Sequence, residues 1–221
     1  MVTQDQRRFE IKGTQTITPD HRVQVSYIDG RRTVGNNGSG VMDLQSLTNP
    51  SYPENLLSAN YNASLTSRLF FEAQYSARNF TFKNSGGQSR ARIFGTTLSD
   101  NQTGAWYWAP HFCGEGGGEE RDNTAFLLKG SYLYSTASTG AHNVVFGYDT
   151  FNDRRRGDNH QSGSDWHIWT TDTAIVDGTV YPVIEPGIST YIINWPILQS
   201  SKGTNFRTHS LFVNDQWAFN Q

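Results

Sequence analysis

The sequence predicts an all-β protein, specifically a partial transmembrane antiparallel β-barrel of about seven long strands. Three observations carry this. Hydrophobic and polar residues alternate with period two over unusually long stretches, the mark of strands with one apolar and one polar face. Connections between those stretches alternate strictly between short and long. Composition suits a β-rich chain: of 221 residues only 17% are charged and 13% are aromatic, with 21 glycines and 10 tyrosines.

The clearest element is "SRLFFEAQYSARNFTF", residues 67 to 82. Leu69, Phe71, Ala73 and Tyr75 share one parity, and Glu72, Gln74, Ser76 and Arg78 the other. Globular strands usually run roughly 5–6 residues. Before it, "RRFEIKGTQTI" sets Phe9, Ile11 and Ile17 against Glu10, Lys12, Thr14 and Thr16. "HRVQVSYID" sets Val23, Val25 and Tyr27 against Arg22, Gln24 and Ser26, and "NLLSANYNASL" sets Leu57, Tyr61 and Leu65 against Ser58, Asn60 and Asn62. After it, "NTAFLLKGSYLY" puts Phe126, Leu128, Tyr132 and Tyr134 opposite Lys129 and Ser131, with Leu127 and Leu133 blurring the pattern. "HNVVFGYDTFND" puts Val144, Phe146 and Tyr148 opposite Gly147 and Asp149. "THSLFVNDQWAFN" lines up Leu211, Val213, Trp217 and Phe219, with Asp215 as an exception. No amphipathic helix is legible.

Pro19-Asp20, Thr66-Ser67 and residues 135 to 141 make the short connections. Long insertions occupy roughly residues 34 to 54, 83 to 121 and 154 to 205. Structureless loops beyond about 12–15 residues are uncommon in compact domains. Short turns at one end and long loops at the other are the asymmetry of outer-membrane barrels. On that reading the apolar parity faces lipid. Phe9, Tyr27, Tyr75, Phe80, Tyr134, Trp217 and Phe219 form interfacial girdles. Glu72, Gln74, Ser76, Arg78, Lys129, Ser131 and Asp149 face the lumen. The alternative is a soluble, secreted β-sandwich, whose strands also alternate. Net charge is −2, so no broad basic surface invites nucleic acid. The single cysteine, Cys113, excludes an intramolecular disulfide.

"THSLFVNDQWAFN" resembles the strand signature of TonB-dependent outer-membrane receptors, with aromatics flanking an acid near a periplasmic turn. "LTSRLFFEAQYSARNFTF", "FNDRRRGDNHQSGSDWHI" and "TYIINWPILQSSKGTNFRTHSLFVNDQW" resemble segments of the Oar-like branch of that family. The resemblance implies outer-membrane localisation in a Gram-negative type of cell and ligand capture by extracellular loops. It also implies transport coupled to a TonB energy complex through a plug domain. No signal peptide, plug or TonB box is legible, so the expectation is an internal barrel fragment over residues 1–221. Its partners would be outer-membrane lipid, the plug and the remaining barrel strands. No cofactor is implied.

Candidate ligand residues lie in the insertions. Trp106, Tyr107, Trp108 and Phe112 are placed to stack on a sugar or flat ligand. Glu115, Glu119, Glu120 and Asp122 offer oxygen ligands to a cation, and a glycan-cleaving enzyme would use Glu115 or Glu119. The competing reading is an outer loop whose aromatics pack together and whose acids are solvated. Arg154, Arg155 and Arg156, flanked by Asp153 and Asp158, fit either phosphate contact or a balanced rim cluster. His111, Cys113, His160 and His167 lack the spacing of a metal site. No catalytic constellation is present, so the expectation is a non-enzymatic protein.

Overall fold

The structure is a computed structural model. It describes residues 1–38, 40–87, 89–110, 113–114, 119–157, 159–160, 162–185, 187–188, 190–195 and 203–219. Its strands are β1 (Thr3–Thr18), β2 (His21–Gly35), β3 (Ser51–Ser64), β4 (Leu69–Phe82) and β5 (Thr97–Asp100). There follow β6 (Trp106–Trp108), β7 (Cys113–Gly114), β8 (Glu119–Thr136), β9 (Gly140–Arg156) and β10 (Asn159–His160). The last are β11 (Trp166–Thr170), β12 (Thr173–Val176), β13 (Thr179–Pro182), β14 (Tyr191–Asn194) and β15 (Thr204–Ala218). Among the described residues the only helical turn is a 3-10 turn at Leu44–Ser46.

Seven strands of 14 to 18 residues form one antiparallel sheet in the order β1-β2-β3-β4-β8-β9-β15. They correspond one for one to the seven alternating stretches. Each strand pairs with its sequence neighbour in the sheet, so the sheet is a simple meander with β1 and β15 at its edges. The three short turns lie at one end and the three insertions leave from the other.

Register carries the alternation across the sheet. Ala63, Phe71, Gly130, Phe146 and Val213 form one cross-strand row on the apolar face. The next row towards the insertions runs Val23, Tyr61, Ala73, Leu128, Tyr148 and Leu211. The Phe146 ring lies across Gly130, where a Cβ would come within 2.5 Å of it. A glycine is needed there for the ring to cover the strand. Asp215 on this face is accounted for by His142, whose ring nitrogen lies 2.7 Å from its carboxylate.

This face remains open. Val25, Leu57, Tyr75, Phe126, Leu128, Leu211 and Val213 are all exposed, Leu211 by 85%. Only two hydrophobic residues of the large sheet, Val34 and Ala63, are buried among the described residues. The seven strands are therefore not two layers of a sandwich: they form one sheet, and among the described residues no second sheet packs on its apolar face.

At the short-turn end aromatic rings follow one another in series, stacked except for a tilted Tyr134–His142 contact. Tyr132 and Tyr134 are 6.5 Å apart, Tyr134 and His142 6.0 Å, His142 and Trp217 5.5 Å. The Trp217 indole N–H donates to the Thr139 carbonyl in the turn. Phe80 corrects the expected girdle. It pairs with Glu54 on the polar face, because even positions of β4 all point that way.

Candidate functional site

The insertions are not structureless. β5 and β6 come from the second, β11 and β14 from the third, and they build one sheet in the order β14-β11-β5-β6. β5 and β11 pair in parallel, which is possible because they belong to different insertions. The first insertion joins through Asp43. Its amide donates to the Trp106 carbonyl at 3.0 Å, and its carboxylate accepts from the Trp108 amide at 3.1 Å. Among the described residues the largest fully buried side chains, including Leu98, His167, Thr96, Thr97 and Thr170, lie in this cap. His167 sits against the Trp169 ring at 3.5 Å, and its Nε2 is 2.7 Å from the Ser99 hydroxyl. β12 and β13 form a hairpin whose turn, Asp177-Gly178, takes positive φ at both residues, as a type I′ turn requires.

The aromatic trio of β6 is divided by this packing. Trp108 is 6% exposed, lies edge-on to Tyr181, and gives its indole N–H to the Val180 carbonyl at 2.8 Å. It is a packing residue of the cap and offers no open stacking face. Trp106 and Tyr107 are half-buried. Phe112, His111, Glu115 and Asp158 lie outside the described residues. Of Cys113 and His160 only the backbone is described; β7 and β10 set them opposite each other in register.

The arginine cluster is likewise split. Register puts Arg154 and Arg156 on the apolar parity and Arg155 on the other. Among the described residues their acidic partners come from across the sheet on β8. Arg154 bonds Asp122 at 2.7 Å, Arg155 reaches Glu119 at 3.0 Å, and Arg156 lies 3.8 Å from Glu120. Arg121 also bonds Glu119 at 2.6 Å. These acids therefore neutralise arginines at the base of the cap. Among the described residues no group of three or more His, Cys, Asp or Glu could hold a metal ion.

The polar face is brought together as its parity implies. Glu72 sits beside Lys129 in register, bonds its ammonium, and accepts from Gln74. Ser76, Arg78 and Asp149 share the face, and Arg78 bonds Glu54 at 2.6 Å. The Ser26 and Ser58 hydroxyls meet at 2.7 Å. Phe70, Phe151 and Phe206 interrupt it. Arg32, Tyr52 and Phe82, near the cap, were not singled out from the sequence. Their shared even parity was the available signal. In the cap, burial pushes the Asp100 carboxyl up. The Thr103 hydroxyl and the amides of Gln102 and Thr103 outweigh that and hold it below the ordinary range.

Fold and site together define an all-β protein with a large two-faced antiparallel sheet and a folded cap at one end. No family model, no curated protein and no solved structure matches the chain.

Proposed function

We propose that the chain is a membrane-spanning wall segment of an outer-membrane β-barrel receptor of the TonB-dependent, Oar-like class, capturing ligand at the cap end. One observation carries this: a continuous apolar face, exposed along seven long strands, lies back to back with a polar face. In water such a face is an aggregation hazard far larger than the few hundred Å2 that soluble proteins tolerate. Against lipid it is the stable arrangement.

Dimensions agree. Phe126 to Tyr134 spans roughly 27 Å at about 3.4 Å per residue, or roughly 20 Å after a tilt of about 40°. The neighbouring Tyr134, His142 and Trp217 rings would then supply an interfacial girdle. The paired polar face supports a lumen of water or packed protein. The edges of β1 and β15 call for further barrel strands, since lipid does not satisfy unpaired backbone groups. The plug domain and the TonB energy complex enter through the resemblance alone.

Flotation with phospholipid vesicles tests the membrane reading. The refolded chain should float with the lipid and keep its β-sheet spectrum. A monomer, folded in detergent-free buffer and left at the bottom of the gradient, overturns it. The coding sequence on both sides tests the receptor class. An in-frame plug upstream and further amphipathic strands downstream support it; neither being present removes it.

A further inference from the structure

The polar face of the large sheet holds a hollow of about 600 Å3 close to the cap. That is within the roughly 300–1,000 Å3 of small-molecule sites. Gly30 creates it. A Cβ there would meet nothing closer than the Arg7 and Glu54 carbonyls at 3.9 Å, so the sheet surface stays open above it.

The walls combine aromatic rings with arginine. Tyr52 meets Phe82 edge-on at 5.5 Å, and Phe80 meets Phe82 edge-on at 4.8 Å. All three rings line the hollow, with Arg78 4.8 Å over the Phe80 ring and Arg121 4.5 Å over the Phe82 ring. Arg32 lies 5.5 Å over the Tyr52 ring. Charge pairing around the hollow is uneven. Arg7 bonds Asp5, Arg8 bonds Glu10, and Arg78 bonds Glu54, the acid of the lining. Arg32 has no acidic partner among the described residues. Its guanidinium rests on an aromatic face with its donors unspent. A guanidinium fork prefers a planar carboxylate, which it binds through two parallel hydrogen bonds. Rings at an open aromatic corner prefer a flat apolar body.

We propose that this hollow is a binding site for a flat organic anion: an aromatic or conjugated carboxylate with its ring in the Tyr52–Phe82 corner and its carboxylate on Arg32. The site rests on the geometry of the sheet alone and stands whether or not the apolar face meets lipid. Its failure and that of the membrane reading are therefore separable.

Equilibrium dialysis of the 221-residue chain with 2-naphthoate tests it, with 2-naphthamide and cyclohexanecarboxylate as comparators. We expect saturable binding of naphthoate at one site. The amide lacks the charge and the cyclohexane acid lacks the flat ring; each should bind about tenfold or more weakly. Arg32→Gln should weaken naphthoate about tenfold or more, the scale of one charge-assisted bidentate contact. Gly30→Leu should abolish binding by filling the floor. Arg22→Gln, at the far end of the same face, should change nothing. Arg32 is exposed and lies outside any ion pair among the described residues, so Arg32→Gln keeps the fold and remains informative if Gly30→Leu does not fold. Absence of saturable binding overturns the proposal. So does naphthoate binding unchanged by Arg32→Gln, an amide that binds as well as the acid, or an equal loss in Arg22→Gln.

Discussion

Leu211→Arg separates the two environments open to the apolar face. Leu211 is 85% exposed in the middle of β15 and pairs with Tyr148. At that exposure the substitution removes almost no protein packing. If water covers the face, the change belongs to exposed surface substitutions, usually within about 0.5 kcal/mol. If lipid covers it, an arginine near the mid-plane of a barrel costs about 2–4 kcal/mol. At about 1.4 kcal/mol per factor of ten, that is roughly 30-fold or more in the unfolding equilibrium. Ser210→Arg is the control. Ser210 is the adjacent residue on the opposite face, where it pairs in register with Asp149, so a guanidinium there meets a carboxylate. Reversible urea unfolding of both variants in phospholipid vesicles reads the difference. A loss of about 2 kcal/mol or more for Leu211→Arg, with Ser210→Arg within about 0.5 kcal/mol, is expected. Equal, small effects at both positions refute the reasoning.

Three further outcomes follow from the cap and its base. Trp108→Ala should cost about 3–5 kcal/mol of cap stability, the range for buried tryptophan truncation. Amide exchange should then accelerate in β5, β6 and β11 and stay unchanged in β3, β4, β8 and β9; uniform acceleration contradicts an independently packed cap. The Asp100 carboxyl is held below its ordinary value, so its contribution is fully present above about pH 3.9 and is lost as pH falls through the lower folded value. Exchange protection of residues 97–105 should therefore fall on acidification in the wild type and fall less in Asp100→Asn; parallel profiles count against it. Glu119, 5% exposed, faces both Arg121 and Arg155, which are about half exposed. Glu119→Gln should lower stability by about 1–2 kcal/mol, between the exposed and buried limits for ion pairs, read as a shift in unfolding midpoint. No shift means the arginines are satisfied by water.

Much of the large sheet was legible because side-chain period is a local property. Glu72 and Lys129 lie far apart in sequence, yet two alternating strands with a fixed register put them side by side. Phe80 misled because aromatic type suggested an interface, while parity alone decides the face. The cap was illegible for the opposite reason. β5 and β11 are four- and five-residue pieces from different insertions, paired in parallel, and nothing local in "TLSD" or "WHIWT" names its partner. For Trp108 the sequence left a ligand platform and loop packing both open, because its burial is set by Val180 and Tyr181, contributed by a separate insertion. The arginine triplet read either as a phosphate contact or as a rim cluster balanced by Asp153 and Asp158; the acids that antiparallel pairing adds from β8 are not legible locally. Hollow and arginine at Gly30 and Arg32 carry no motif at all; only the assembled sheet shows them.

A cysteine scan along β15 tests the central claim most directly. With Cys113 replaced by serine, single cysteines at positions 210 to 214 are labelled in vesicles by a water-soluble maleimide and by a lipid-phase reagent. Cysteines replacing Leu211 and Val213 should react only from the lipid phase, and those replacing Ser210, Phe212 and Asn214 only from water. Equal labelling of both parities by the water-soluble reagent contradicts a membrane-spanning wall.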